Sequence, residues 1–137
     1  MTAKLRIILS SVFAITGYFL GLVAEATHGT DSAINMASCF IKVLCYIVAF
    51  LLANSAGKII REESNITGNP GLRFVGWITF GVAIVHFMTF FIWTSDGSRL
   101  PDGQITIDSA MFFIAVMFMI AEAWNSYRSR LSLAMVG

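Results

Sequence analysis

Charge is scarce in this chain: 8 Asp and Glu and 9 Lys and Arg make up 12% of 137 residues, while 57% are hydrophobic. Soluble domains carry roughly 25% charged residues, and a core of this size could not absorb the apolar excess. The composition therefore excludes an ordinary soluble domain. The net charge of +1 says little about partners, but no basic run is long enough to suggest nucleic acid, and none is expected as a partner. Cysteine is limited to Cys39 and Cys45, inside one apolar block. Six helical residues separate them by about 9 Å along the axis and place them on different faces, beyond disulfide reach, so packing is their expected role. Histidine is limited to His28 and His86, and no His, Cys or carboxylate group has the spacing of a metal-ligand set. Phosphate loops, nucleophile elbows, catalytic triads and paired-carboxylate patterns are absent too. No cofactor and no enzyme activity are expected, because the connections are too short to house a soluble active site.

What is abundant is apolar sequence in long blocks. A spanning helix needs about 20 mostly apolar residues to cross about 30 Å of hydrocarbon, and residues 5–24, 33–57, 72–94 and 105–127 each meet that requirement. The expected fold is an all-α integral membrane protein, a four-transmembrane-helix bundle forming a single membrane domain over residues 1–137. Turn residues punctuate the connections: Gly29 and Asp31, then Gly68-Asn69-Pro70-Gly71, then Asp96-Gly97 and Pro101-Asp102-Gly103. Lys4 and Arg6, then Lys58, Arg61 and Arg73, then Arg128 and Arg130 all fall on one side of such a bundle. The other side carries Glu25, His28, Asp31, Asp96, Asp102 and Asp108, with Arg99 as its cation. The enrichment of Lys and Arg in cytoplasmic connections puts both termini in the cytoplasm and the chain in the inner (plasma) membrane. Ala24-Glu25-Ala26 has the small-x-small form of a signal-cleavage site. The apolar stretch before it, residues 7–23, is longer than a usual signal core, so the segment is expected to remain as the first span. Asn65-Ile66-Thr67 fits the glycosylation pattern but lies on the expected cytoplasmic side.

Helices in lipid associate through close packing of small residues and hydrogen bonds. Ser10, Ala14, Gly17, Gly21 and Ala24 form such a stripe on the first span, with a Gly-x-x-x-Gly element at Gly17 and Gly21. Ser38, Cys45, Ala49, Ala53 and Ala56 form another on the second, so these two spans are expected to pack closely. The third and fourth carry bulky runs, among them residues 87–93 and 111–113, suited to lipid or to another subunit. Trp77, Trp93 and Trp124 lie near span ends, where indoles favour the interface.

An ionisable group at membrane depth is costly, commonly a few kcal/mol, and marks a candidate site. Lys42, His86 and Glu122 are the candidates, with Asp108 near the start of the fourth span. Lys42 lies about 13 Å inside its span, and its flexible stem lets it reach outward to Asp108 or Asp31 as a structural ion pair; a substrate or ion-path role is the competing reading. His86 shares a face with Gly76, Thr79 and Ala83 and reads first as a hydrogen-bonded interior residue, then as a protonation switch or haem ligand. Glu122 is expected to pair with Lys58, Arg73 or Arg128 in a cluster joined by Asn54 and Asn125. Unpaired and wetted, it would be the best proton-coupling candidate.

Small multidrug transporters share the size and the span count, but their signature is a Glu within the first span, and none lies between Arg6 and Glu25. Phage holins are also small and oligomerising, with other topologies. The expected role is a non-catalytic structural or accessory subunit of an oligomeric or multi-subunit inner-membrane assembly of the secretion, conjugation or energy-transducing type. Its partners would be the lipid bilayer and either further copies or other membrane subunits. The alternative is a small oligomeric channel, transporter or holin-like pore using Lys42, His86 and Glu122. A third reading is a redox subunit binding haem or quinone near His86.

Overall fold

A computed structural model describes residues 2–29, 32–95 and 103–136. It contains four helices, α1 (Ala3–Ala26), α2 (Ser32–Ser64), α3 (Pro70–Ser95) and α4 (Gln104–Val136). All four are long and apolar enough to cross a membrane. Asp31, Asp96, Arg99 and Asp102, which contribute to the charge pattern, lie outside the described residues.

Two helices run further than the apolar blocks. At 33 residues each, α2 and α4 are about 50 Å long, well over the about 30 Å of a hydrocarbon core. Charged residues after Gly57 do not stop α2, because Lys, Arg and Glu are good helix formers. It stops where the backbone turns left-handed: Asn65 has φ 53°, and Ile66 N–H donates to Arg61 C=O at 3.1 Å. That six-residue closure with an αL Asn is a Schellman cap. The next helix begins almost at once. Asn69 accepts from Leu72 N–H at 3.1 Å through its side chain, while Pro70 takes the first helical position, where a missing N–H costs nothing. The connection expected over residues 58–71 thus shrinks to the turn between Ser64 and Pro70.

Contacts fix the topology. Ser10 Oγ donates to Ala49 C=O at 2.6 Å, and Arg6 reaches Ser55, so α1 and α2 are antiparallel. Lys42 meets Asp108 and Arg61 meets Glu122, which makes α2 and α4 parallel. Arg73 meets Glu122 while His86 meets Asp108, so α3 runs antiparallel to α4. One end of the bundle, the basic end, therefore gathers Lys4, Arg6, Lys58, Arg61, Arg73, Arg128 and Arg130.

The α1 stripe of Ser10, Ala14, Gly17, Gly21 and Ala24 is buried, and it faces two helices rather than one. A Cβ on Gly17 would stand 3.0 Å from the Tyr46 ring of α2, and one on Gly21 would stand 2.5 Å from Ser109 Oγ of α4. On α2, Ala49, Ala53 and Ala56 are buried, joined by Tyr46 and Phe50. The expectation that the bulky runs of the third and fourth spans face lipid or another subunit is corrected for α4, which is the central helix and packs against the other three. Its Phe112, Ala115, Val116, Met119 and Ala123 are fully or almost fully buried. The backbone of α3 packs on α4 alone. Gly76 sits there under Met119, and α3 meets α2 through rings. Phe50 stacks on Phe80 at 4.1 Å and meets Trp77 edge-on at 4.8 Å.

Candidate functional site: two buried polar clusters

The ionisable side chains of the apolar stretches gather into two clusters at opposite ends of the bundle. Asp108 and Glu122 lie on one helix 14 residues apart, a separation of about 21 Å. Between them lies an aromatic layer in which Tyr46 stacks on Phe112 at 5.6 Å and Phe80 meets Phe112 edge-on at 5.7 Å.

The first cluster is built on Asp108, one turn into α4. Lys42 Nζ donates to Asp108 Oδ2 at 2.9 Å, with the two side chains 1% and 0% exposed. The Lys42 stem passes close to Gly21 of α1, where an added Cβ would stand 3.4 Å from Lys42 Cδ, an ordinary contact. His86 Nδ1 lies 3.1 Å from Asp108 Oδ1, so the two carboxylate oxygens serve different partners. The imidazole is 27% exposed, and its Nε2 stands 3.3 Å from Gln104 Oε1. Each ring nitrogen thus faces a side-chain oxygen, with the donor and acceptor roles set by the tautomer and by which way the Gln104 amide is turned. Beneath the pair, the Tyr46 and Ser109 hydroxyls share a hydrogen bond of 2.9 Å. The charges of Lys42 and Asp108 cancel. Buried ions need such pairing, since each alone would carry a desolvation cost of several kcal/mol.

The second cluster is built on Glu122. Arg61 Nη1 donates to Oε2 at 2.5 Å, Arg73 Nη1 to Oε1 at 3.0 Å, Ser126 Oγ to Oε1 at 3.1 Å and the Asn69 backbone N–H to Oε1 at 3.2 Å. The carboxylate is buried, whereas Arg61 and Arg73 are partly exposed. Two glycines make the space. A Cβ on Gly57 would stand 2.8 Å from Glu122 Oε2, and one on Gly68 would collide with Glu122 Oε1. Gly68 also has φ +65°, a conformation costly for residues with a side chain. Arg73 holds the turn further by donating to Thr67 C=O at 2.8 Å. One carboxylate thus fastens α2, α3, α4 and the 65–69 turn together.

Of the partners expected for Glu122, Arg73 is present; Lys58 and Arg128 are not among its contacts, and Asn54 and Asn125 do not join the cluster. Sequence reasoning misses Arg61 because the apolar block of the second span ends before it. As a continued helix, α2 places Arg61 one turn beyond Gly57, on the α4-facing side. The packing candidates divide between neighbours: Gly17 lies against Tyr46, Gly21 against Ser109, Ala49 accepts from Ser10, and Ala53 joins the same buried core. Among the described residues no three of His, Cys, Asp and Glu come together as a metal-ligand set. A cleft of about 530 Å³ opens beside the second cluster, lined by the 66–69 turn and by Asn125, Ser126, Ser129, Ser132 and Leu133 of α4.

No protein-family model matches the chain, and no solved structure matches it. The chain is similar to adenylate-forming reductase 06235 of Coprinopsis cinerea, 26% identical over 119 residues. That alignment covers 82% of this chain but 11% of the reductase, so the chain spans about a ninth of the length of the curated relative it matches.

Proposed function

We propose that the chain is a non-catalytic structural or accessory subunit of a larger inner-membrane assembly, with both termini in the cytoplasm. The observation that carries this reading is how the bundle uses its costly side chains. Lys42, Asp108 and Glu122 are all engaged by partners within the bundle, which is what a scaffold requires. The outward face supports the same reading. Phe74, Trp77, Ile78, Val82, Val85, Phe91 and Ile92 of α3 are all exposed, an apolar side suited to lipid or another membrane helix. Purification in mild detergent followed by cross-linking tests this reading: a copurifying partner or a defined oligomer is expected, and a monodisperse free monomer would overturn it.

The second reading, a small channel, transporter or pore, is favoured by one observation: the partly exposed His86 touches the fully buried Asp108. Against it stands the aromatic layer between the clusters, which interrupts a polar path from Lys42 and His86 to Glu122. Flux through reconstituted vesicles decides between the two. Flux that falls in Lys42→Ala, His86→Ala and Glu122→Gln supports a pore, and flux unchanged by all three removes it.

A further inference from the structure

The cleft beside Glu122 has features that the scaffold reading does not use. Its walls are rich in hydrogen-bonding groups, with Thr67 and Asn69 on the turn and Asn125, Ser129 and Ser132 on α4, while Ile66 and Leu133 leave two edges apolar. Its surroundings are cationic. The basic end holds seven Lys and Arg against Glu62, Glu63 and Glu122, a net charge of +4. Within the adjoining cluster two guanidiniums share one carboxylate, which leaves one positive charge in excess. Arg128 and Arg130 stand one residue to either side of Ser129, about 100° round the helix in each direction, so their stems leave α4 on the two sides of the face that lines the cleft, outside the lining itself. Arg128 is exposed, and Arg130 lies over the Tyr127 ring at 5.1 Å while pairing with Glu63 at 3.4 Å.

The depth of the cleft is marked independently. Trp124 and Tyr127 stack at 5.3 Å one turn away, and such rings settle at the level of lipid headgroups. Ser129 and Ser132 lie just beyond them, on the part of α4 that outruns the hydrocarbon core, and α3 begins at the same level. A hydroxyl-lined and amide-lined cleft with an apolar edge and excess positive charge, at headgroup depth, fits one ligand chemistry: a phosphate monoester or diester carried on a lipid.

We propose that the cleft between the 66–69 turn and the final turns of α4 binds the phosphate headgroup of an anionic phospholipid, with Thr67, Asn69, Ser129 and Ser132 as hydrogen-bond donors and Arg128 and Arg130 as flanking cations. The proposal rests on the membrane placement and orientation given above. Basic groups between helices on the cytoplasmic side recognise anionic headgroups in this manner, each near-surface cation contributing about 1 kcal/mol, or about fivefold in affinity.

The full chain, purified in detergent, would be titrated with phosphatidylglycerol, phosphatidylcholine and inorganic phosphate, reading bound lipid by native mass spectrometry and the shift in melting temperature. Phosphatidylglycerol is expected to bind one-to-one and to raise the melting temperature well above the effect of phosphatidylcholine. Ser129→Phe fills the cleft from an exposed position outside the Glu122 cluster and should abolish the preference with helix content unchanged. Arg128→Gln and Arg130→Gln should each weaken it about fivefold. Equal binding of the two lipids, or a preference retained in both Ser129→Phe and the double arginine variant, overturns the proposal. Inorganic phosphate binding as tightly as the lipid overturns the lipid as the source. A chain that fails to partition into vesicles at all defeats the membrane reading itself, which separates that failure from the failure of this site.

Discussion

The two polar clusters join largely the same helices by different means. At Asp108 the ion pair is sealed: both partners of the Lys42 bridge are buried, and the third member, His86, supplies the accessible edge. At Glu122 only the carboxylate is buried; its two arginines are partly exposed, and a turn amide completes its shell. Breaking the sealed pair strands a charge with no water to receive it. The open cluster can lose one arm and let water or a second arginine take over. Depth, more than the number of bonds, therefore sets how much each site can tolerate.

The largest effect is expected at the sealed pair. Lys42→Ala or Asp108→Ala should each lower stability by about 3–5 kcal/mol, read as the shift of an SDS-unfolding midpoint in detergent. The double replacement Lys42→Met with Asp108→Leu should recover most of that loss, because no charge is left behind. A double variant no better than either single one would show that the pair is not a closed unit. At the open cluster, Glu122→Gln should cost less, about 2 kcal/mol, and loosen the 65–69 turn, visible as faster protease cleavage there. Cleavage unchanged with stability lost would mean that the turn is held by other contacts. A smaller contrast lies between two glycines. Gly21→Ala should destabilise by about 1–3 kcal/mol, since a Cβ there meets Ser109. Gly81→Ala, with nothing within 4 Å of its added Cβ, should stabilise by about 0.5–1 kcal/mol. A similarly small effect is expected for His86→Gln, about 1 kcal/mol; a loss as large as that of Lys42→Ala would make the accessible edge as important as the sealed bridge.

Much of this arrangement is legible in the order of the residues alone. The four blocks are long, and the charges of Lys42 and Asp108 fall at depths a lysine stem can reconcile. Two features are not legible, for definite reasons. In a span nearly every face is apolar, so periodicity does not say which side is core. For that reason α4, with Phe112 and Met119 buried alongside exposed Ile114 and Met117, reads as a lipid-facing helix although it is the centre of the bundle. The Arg61 contact stays hidden because charge after Gly57 reads as the end of a span, whereas a helix continues through charged residues until a cap such as Asn65 stops it. The small-residue stripe of α1 is visible, but not that Gly17 and Gly21 serve two different neighbours.

The wiring of these bridges has a consequence for the order in which the protein can be made. Among the described residues, the ion pairs that cross the bundle all end on α4: Asp108 for Lys42, Glu122 for Arg61 and Arg73, Arg130 for Glu63. Of the four helices a ribosome delivers α4 after the other three. Until it arrives, Lys42 lies without its counter-ion, and α2 is held only by α1 and by the rings of α3. Of the four helices α4 is thus the keystone, and truncation before Asp108 should leave Lys42, Arg61 and Arg73 all without their carboxylates.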